Sequence, residues 1–204
     1  AAKSGASDPE DNARLRLAVA KAKEANMPNE NIKRAIQKGA GGGEGADLEE
    51  ITYEAYAPYG VALLIEVVTD NKNRTLPNVK TILTKAGGSI AAKGAVSYMF
   101  EKKGIIIFEP GVSEELVMEV STEAGADDID LNDDGSIEVK TSPHDFEQVR
   151  KAFDDKKVIY ANASIEMIPS NVISLDEEKA EKILNVMEKL EEDDDVQNVY
   201  GNLE

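Results

Sequence analysis

The sequence predicts an α+β protein of several domains: a basic helical segment followed by two ferredoxin-like α+β domains, one inserted in the other. Three observations predict it. Residues 1–40 carry apolar stripes at helical spacing and run into glycines. Residues 104–168 read strand, helix, strand, strand, helix, strand, which is the ferredoxin-like order. Residues 61–101 read strand, helix, strand, strand, and the missing helix and strand are found at 176–200. The predicted divisions are therefore 1–45, then 46–103 together with 171–204, and an inserted 104–170.

Asp8, Pro9, Glu10 and Asp11 form a helix start, with Asp8 as cap, Pro9 in the first turn and acids at the positive end of the dipole. That helix runs to about residue 25, with Leu15, Val19 and Ala22 on its apolar stripe. Pro28 opens a second helix and Gly39 closes it, with Ile32, Ala35 and Ile36 inward and Lys33, Arg34, Gln37 and Lys38 outward. The glycine run at 39–45 reads as a flexible linker; it follows a helix and lacks a Gly-Lys-Ser/Thr ending, so it is not a phosphate loop.

From residue 51 the period changes. Strands at 51–57 and 61–69 flank the turn signal Pro58-Tyr-Gly60. Thr75 starts a helix to residue 86, with Val79, Ile82 and Leu83 inward, and Gly87 and Gly88 stop it. Strands follow at 89–92 and 95–101. In the inserted segment, 104–109 is a strand, 113–124 a helix capped by Ser113, and 127–131 with 136–141 a hairpin. A helix at 143–154 and a strand at 158–168 complete it. Residues 176–192 form an amphipathic helix with Ala180, Ile183, Leu184, Met187 and Leu190 inward, and 196–200 a last strand.

Charge divides the chain. Its 204 residues carry a formal net charge of −17, from 23 basic and 40 acidic side chains. Residues 1–40 hold eight basic and five acidic residues, a balance of +3, residues 41–109 contribute −2 and residues 110–204 contribute −18. The acidic total therefore says little about the surface of the first forty residues. The longest apolar runs fall far short of the roughly 20 residues a membrane helix needs, so no membrane partner is expected. The chain begins at Ala1 with neither a basic start nor an apolar signal-like stretch, and its natural beginning is expected upstream.

There is no cysteine and one histidine, His144. Thiol chemistry, thiolate zinc sites and histidine-based catalysis are thereby disfavoured; no enzyme, cofactor or metal is expected. His144, at a helix start, has a structural reading. Asp130-Leu-Asn-Asp-Asp-Gly-Ser-Ile137 imitates the start of a calcium loop but carries Thr141 where a bidentate glutamate belongs, between strands rather than helices, so it reads as a hairpin turn. Residues 191–195 read as a solvated acidic helix end.

Two sets of residues point to nucleic acid. Arg14, Arg16, Lys21, Lys23, Lys33, Arg34 and Lys38 lie on the basic faces of the two helices, where cations at helical spacing can meet phosphates. Asn71, Lys72, Asn73 and Arg74 lie in a polar loop between a strand and a helix, where they either contact phosphate or a base, or serve turn chemistry beside a Thr75 cap.

Several ordered segments together resemble the YebC/PmpR family, which has a mitochondrial translational activator as a relative. They are Asp11-Asn-Ala-Arg-Leu-Arg-Leu17, Lys21-Ala-Lys-Glu-Ala-Asn-Met-Pro28, Asn31-Ile-Lys-Arg-Ala-Ile-Gln-Lys-Gly39, the stretch from Tyr53 to Thr75, Ala95-Val-Ser-Tyr-Met-Phe-Glu-Lys-Lys-Gly104 and Val196-Gln-Asn-Val-Tyr-Gly-Asn202. The resemblance covers essentially the whole chain, except that family members start with a basic head, typically Gly-His-Ser-Lys-Trp, that this chain lacks. It implies a helical domain and two α+β domains, and a cytoplasmic, non-enzymatic regulator of gene expression that binds DNA. Its alternative is a ribosome-associated translation factor that binds RNA through the same helices and the 71–74 loop, with the acidic domain toward basic proteins. A third class, an acidic protein-interaction module, would touch no nucleic acid.

Overall fold

The computed structural model describes residues 1–2, 5–40 and 48–204. It divides into two compact units, Ala1–Asp47 and Leu48–Glu204. The predicted 39–45 linker lies largely outside the described residues.

The first unit is a helical hairpin of α1 (Ala13–Glu24) and α2 (Asn29–Gly39). Asn12, not Asp8, caps α1: its Oδ1 accepts the Leu15 N–H at 3.1 Å while its amide donates to the Ala6 carbonyl at 2.7 Å. Asp8 instead closes a preceding turn, accepting the N–H of Glu10 on its side chain and that of Asp11 on its carbonyl. The residue with more partners wins the cap. Asn26 adopts the left-handed conformation at φ 56° and lets the Met27 N–H reach back to the Ala22 carbonyl, which ends α1. Gly39 is the last residue of α2 rather than its stop. Leu15 and Ile32 are buried and Ile36 partly so, but Ala35 is exposed where the sequence placed it inward. Two helices share one narrow seam, and the isoleucines four residues apart fill it.

The second unit runs β1 (Glu49–Tyr56), β2 (Ala62–Thr69), α3 (Lys72–Ala86), β3 (Ser89–Ile90), β4 (Phe100–Phe108), α4 (Glu114–Ala124), β5 (Asp128–Leu131), β6 (Ile137–Thr141), α5 (Phe146–Asp155), β7 (Asn162–Pro169), α6 (Glu177–Glu191) and β8 (Val196–Gly201). The strands form two antiparallel four-stranded sheets, ordered β3-β1-β2-β8 and β5-β6-β4-β7. The second has the ferredoxin-like arrangement read from 104–168.

The first sheet departs from expectation. Residues 95–101 are not one of its strands: Ser97–Met99 is a 3₁₀ turn, and Phe100 begins β4 of the second sheet. β1 takes the place beside β3 and β2, pairing with β2 from Glu49↔Thr69 to Tyr56↔Ala62. Its hairpin closes over Pro58–Gly60, so its loop-closure entropy is smaller than for the more distant 95–101.

β2 is apolar on both sides because both are covered. Leu63, Ile65 and Val67 pack with Val79 and Leu83 of α3 and with Ile183, Val186 and Leu190 of α6. Ala62 and Leu64 face the other way, against Val96, Phe100 and partly buried Met167 and Tyr200. On α6 the inward residue is Val186, whereas Leu184, expected inward, is 57% exposed. Ile183, Val186 and Leu190 recur at spacings of three and four, and Leu184 is rotated off that stripe.

In the second sheet Phe108 meets Phe153 of α5 edge-on, ring centroids 4.7 Å apart. Gly104 lets α5 approach β4, because a methyl group there would overlap Thr141 Oγ1 and the Phe146 ring, both fully buried. Gly104→Ala is expected to cost about 2 kcal/mol by overpacking, read as a lowered midpoint in urea with an unchanged slope. An unchanged midpoint would show that α5 yields freely.

Candidate nucleic-acid interface

The two helices of the first unit place their cations unequally. Lys33, Arg34, Gln37 and Lys38 line the exposed face of α2, at positions that are neighbours one turn apart. Arg14, Lys21 and Lys23 are exposed on α1. Lys33 makes a loose pair with Glu30 at 3.7 Å, both largely solvated. Arg16 is turned back on its own N-terminal turn: Nε donates to the Pro9 carbonyl at 3.1 Å and Nη2 to that of Glu10 at 2.7 Å. The geometry gives Arg16 a local structural task, invisible to helical spacing because its partners lie before the helix.

The 71–74 segment belongs to the second unit and is mostly helix. Asn71 caps α3, accepting the Asn73 N–H at 3.1 Å. Thr75, expected as the cap, is fully buried. Its hydroxyl lies 2.8 Å from that of Thr69 and donates to Asp195 at 2.5 Å. Arg74 Nη2 donates to both oxygens of Asp195, at 2.9 and 2.8 Å, and to Asp70 at 3.0 Å. Lys72 lies 3.4 Å from Glu49. Asn73 is exposed. Phosphate at this segment therefore competes with carboxylates already in place.

Asp195 is the member of this group that the sequence hid. The acidic run 191–195 reads as a solvated helix end, yet the Asp195 side chain is 14% exposed. The Thr75 hydroxyl is the main influence holding its carboxyl below the ordinary value; burial opposes this, and Arg74 and Thr69 add to it. Its position in an acidic run conceals a carboxylate aimed inward at residues over 100 positions away.

Glu54 was hidden likewise. This β1 carboxylate is 6% exposed and accepts the N–H groups of Gly94 at 2.6 Å, Val96 at 2.7 Å and Ser97 at 2.9 Å. Its backbone carbonyl accepts from Ala91, so one residue makes four hydrogen bonds to the 91–97 loop. Burial pushes the carboxyl up, but the N–H groups outweigh it and hold it below its ordinary value.

The remaining candidates settle into structural roles. Residues 132–136 make a hairpin turn, with Asn132 N–H donating to the Ser136 carbonyl and Asp134 accepting from Ser136. His144 is exposed beside α5, its N–H donating to Ser142. Among the described residues no group of His, Cys, Asp and Glu could hold a metal ion, and no helix is long and apolar enough to cross a membrane.

Comparison with known proteins covers both units. Residues 1–42 match the TACO1/YebC protein N-terminal domain, and residues 48–203 match the TACO1/YebC second and third domain. The chain is 49% identical to a protein of Natranaerobius thermophilus and 54% identical to one of Borrelia garinii, each named a probable transcriptional regulatory protein. All of this chain is covered, with 83% and 84% of theirs. The crystal structure of a conserved hypothetical protein from Aquifex aeolicus matches with a TM-score of 0.88 at 43% identity, over 100% of this chain and 84% of that one. The segments that carried the resemblance in the sequence, the two-unit architecture and the matches to both domain models agree: the chain belongs to the TACO1/YebC family.

Proposed function

We infer that the chain is a non-enzymatic, cytoplasmic regulator of gene expression that binds DNA through the helical hairpin, with 46–103 plus 171–204 and 104–170 as its two α+β domains. The observation that carries this reading is the exposure of Lys21, Lys23, Arg34 and Lys38 on α1 and α2, with no ion pair among the described residues, in a chain that is otherwise strongly acidic. The name borne by the relatives points the same way. These contacts would be to phosphates, giving affinity and position rather than base readout. The translation-factor alternative draws on the 71–74 segment as well, where Lys72 and Arg74 already face carboxylates.

Replacing Lys21, Lys23, Arg34 and Lys38 by alanine together is expected to weaken duplex binding and to reduce the slope of log K against log salt by about 3.6, at about 0.9 per phosphate contact on B-DNA. Fluorescence anisotropy of a labelled duplex over a salt series measures both. Arg16→Ala should instead change thermal stability more than the slope. An unaltered slope in the fourfold variant rejects the helical hairpin as the DNA-binding face.

A further inference from the structure

One stretch of the second unit is basic in sequence, and its Lys72, Arg74 and Lys103 are paired with carboxylates. Residues 71–103 contain seven basic side chains and one acidic side chain, within a chain of net charge −17. The acid, Glu101, already pairs with Lys103 at 3.3 Å. Lys93 and Lys102 are exposed and make no ion pair among the described residues. Between them in the sequence lies Tyr98, 75% exposed.

A single exposed aromatic residue is ordinary on a protein surface. Here the backbone beneath it is fixed. The loop wraps round the Glu54 carboxylate, which gathers the N–H groups of Gly94, Val96 and Ser97 within 2.9 Å. Tyr56 donates its hydroxyl to the Ala95 carbonyl, and Val96 and Phe100 on either side of Tyr98 are buried in the core. Tyr98 is thus held out from the 3₁₀ turn Ser97–Met99 on an ordered base, with a lysine five residues before it and another four after it. The entropy of ordering the loop is lost on folding and not on binding.

We propose that Lys93, Tyr98 and Lys102 form a second nucleic-acid site that holds a single strand of DNA, the lysines on phosphates and the Tyr98 ring stacked on a base. The chemistry is that of single-strand binders: every base has a π-face, so an aromatic platform accepts any sequence, and cations beside it follow the backbone. In a duplex the base faces are already stacked on one another, so the site selects an unpaired strand. The assignment rests on the reading of the chain as a DNA-binding regulator and adds a contact outside the helical hairpin.

The chain contains no tryptophan, so Tyr98→Trp introduces a lone reporter at the site. Its fluorescence should be quenched by a twelve-residue oligothymidylate. Tyr98→Ala should bind that oligomer about tenfold more weakly with the salt slope unchanged, and Tyr98→Phe should bind as the native chain does. Lys93→Ala with Lys102→Ala should reduce the single-strand slope by about 1.4, at about 0.7 per contact. Duplex binding should be the same in all of these. Thermal melts of each variant should match the native chain, since the substituted side chains are exposed.

Undiminished oligomer binding by Tyr98→Ala overturns the site. So does a native chain that binds the duplex and not the oligomer, while leaving the helical hairpin intact as the DNA-binding face. A native chain that binds neither overturns both readings. Tighter binding of oligouridylate than of oligothymidylate overturns the commitment to DNA.

Discussion

Replacing Glu54 by glutamine is expected to lower the unfolding free energy by about 3 kcal/mol at pH 7, or roughly 6–12 °C in melting temperature for a chain of this size. Glutamine keeps the shape and one acceptor oxygen, but it loses the charge that strengthens three hydrogen bonds and turns an NH₂ toward N–H groups that need acceptors. The effect has a pH signature. Glu54 has a folded pKa below its ordinary value of 4.5, so its contribution is present above that value and is lost as pH falls through the lower folded one. The native chain should therefore lose part of its advantage over Glu54→Gln in acid. Paired thermal melts at pH 7 and at pH 3 measure this, and a gap of the same size at both pH values would mean that charge plays no part. Because Glu54 holds the loop under Tyr98, the same variant should also loosen oligothymidylate binding without touching Tyr98 itself.

Glu54 shows where the sequence stops being legible. In Tyr53-Glu-Ala it looks like any charged strand residue, and its three donors lie 40 to 43 positions away. Features set by near neighbours were readable: the 132–136 turn, the Ser113 cap and the Ile32 and Ile36 seam each depend on a few adjacent residues. Residues 95–101 were read as a strand because Val96 and Phe100 are apolar and buried. They are buried in a loop held by the distant Glu54 carboxylate and Tyr56 hydroxyl, not in a strand of the first sheet. The cations of α1 and α2 were readable as a face because helical spacing alone exposes them. Arg16 belongs to the same pattern and is diverted by two carbonyls that no periodicity reports. The consecutive acids from Glu191 to Asp195 likewise gave no sign that one of them points inward.

That inward acid gives the second large effect: Asp195→Ala is expected to lower stability by about 3 kcal/mol. Four donor contacts converge on its carboxylate, from the Thr69 and Thr75 hydroxyls and twice from Arg74, and the alanine leaves the buried Thr75 hydroxyl with only the Thr69 hydroxyl and the Asn71 carbonyl as partners. The carboxylate ties the turn before β8 to the start of α3, so its loss should open both elements together, with faster amide exchange in the first turn of α3 and in β8. Its folded pKa lies below the ordinary 3.8, so this stabilisation also persists at neutral pH and fades in acid. Asp195→Asn should retain part of it, since the amide oxygen still accepts from Thr75. The variant also separates two readings of the 71–74 segment. If Asp195 only withholds Arg74 from phosphate, Asp195→Ala should bind DNA more tightly and with a steeper salt slope despite its lower stability. If Arg74 serves only to anchor the junction, the slope should stay as it is while the melting temperature falls.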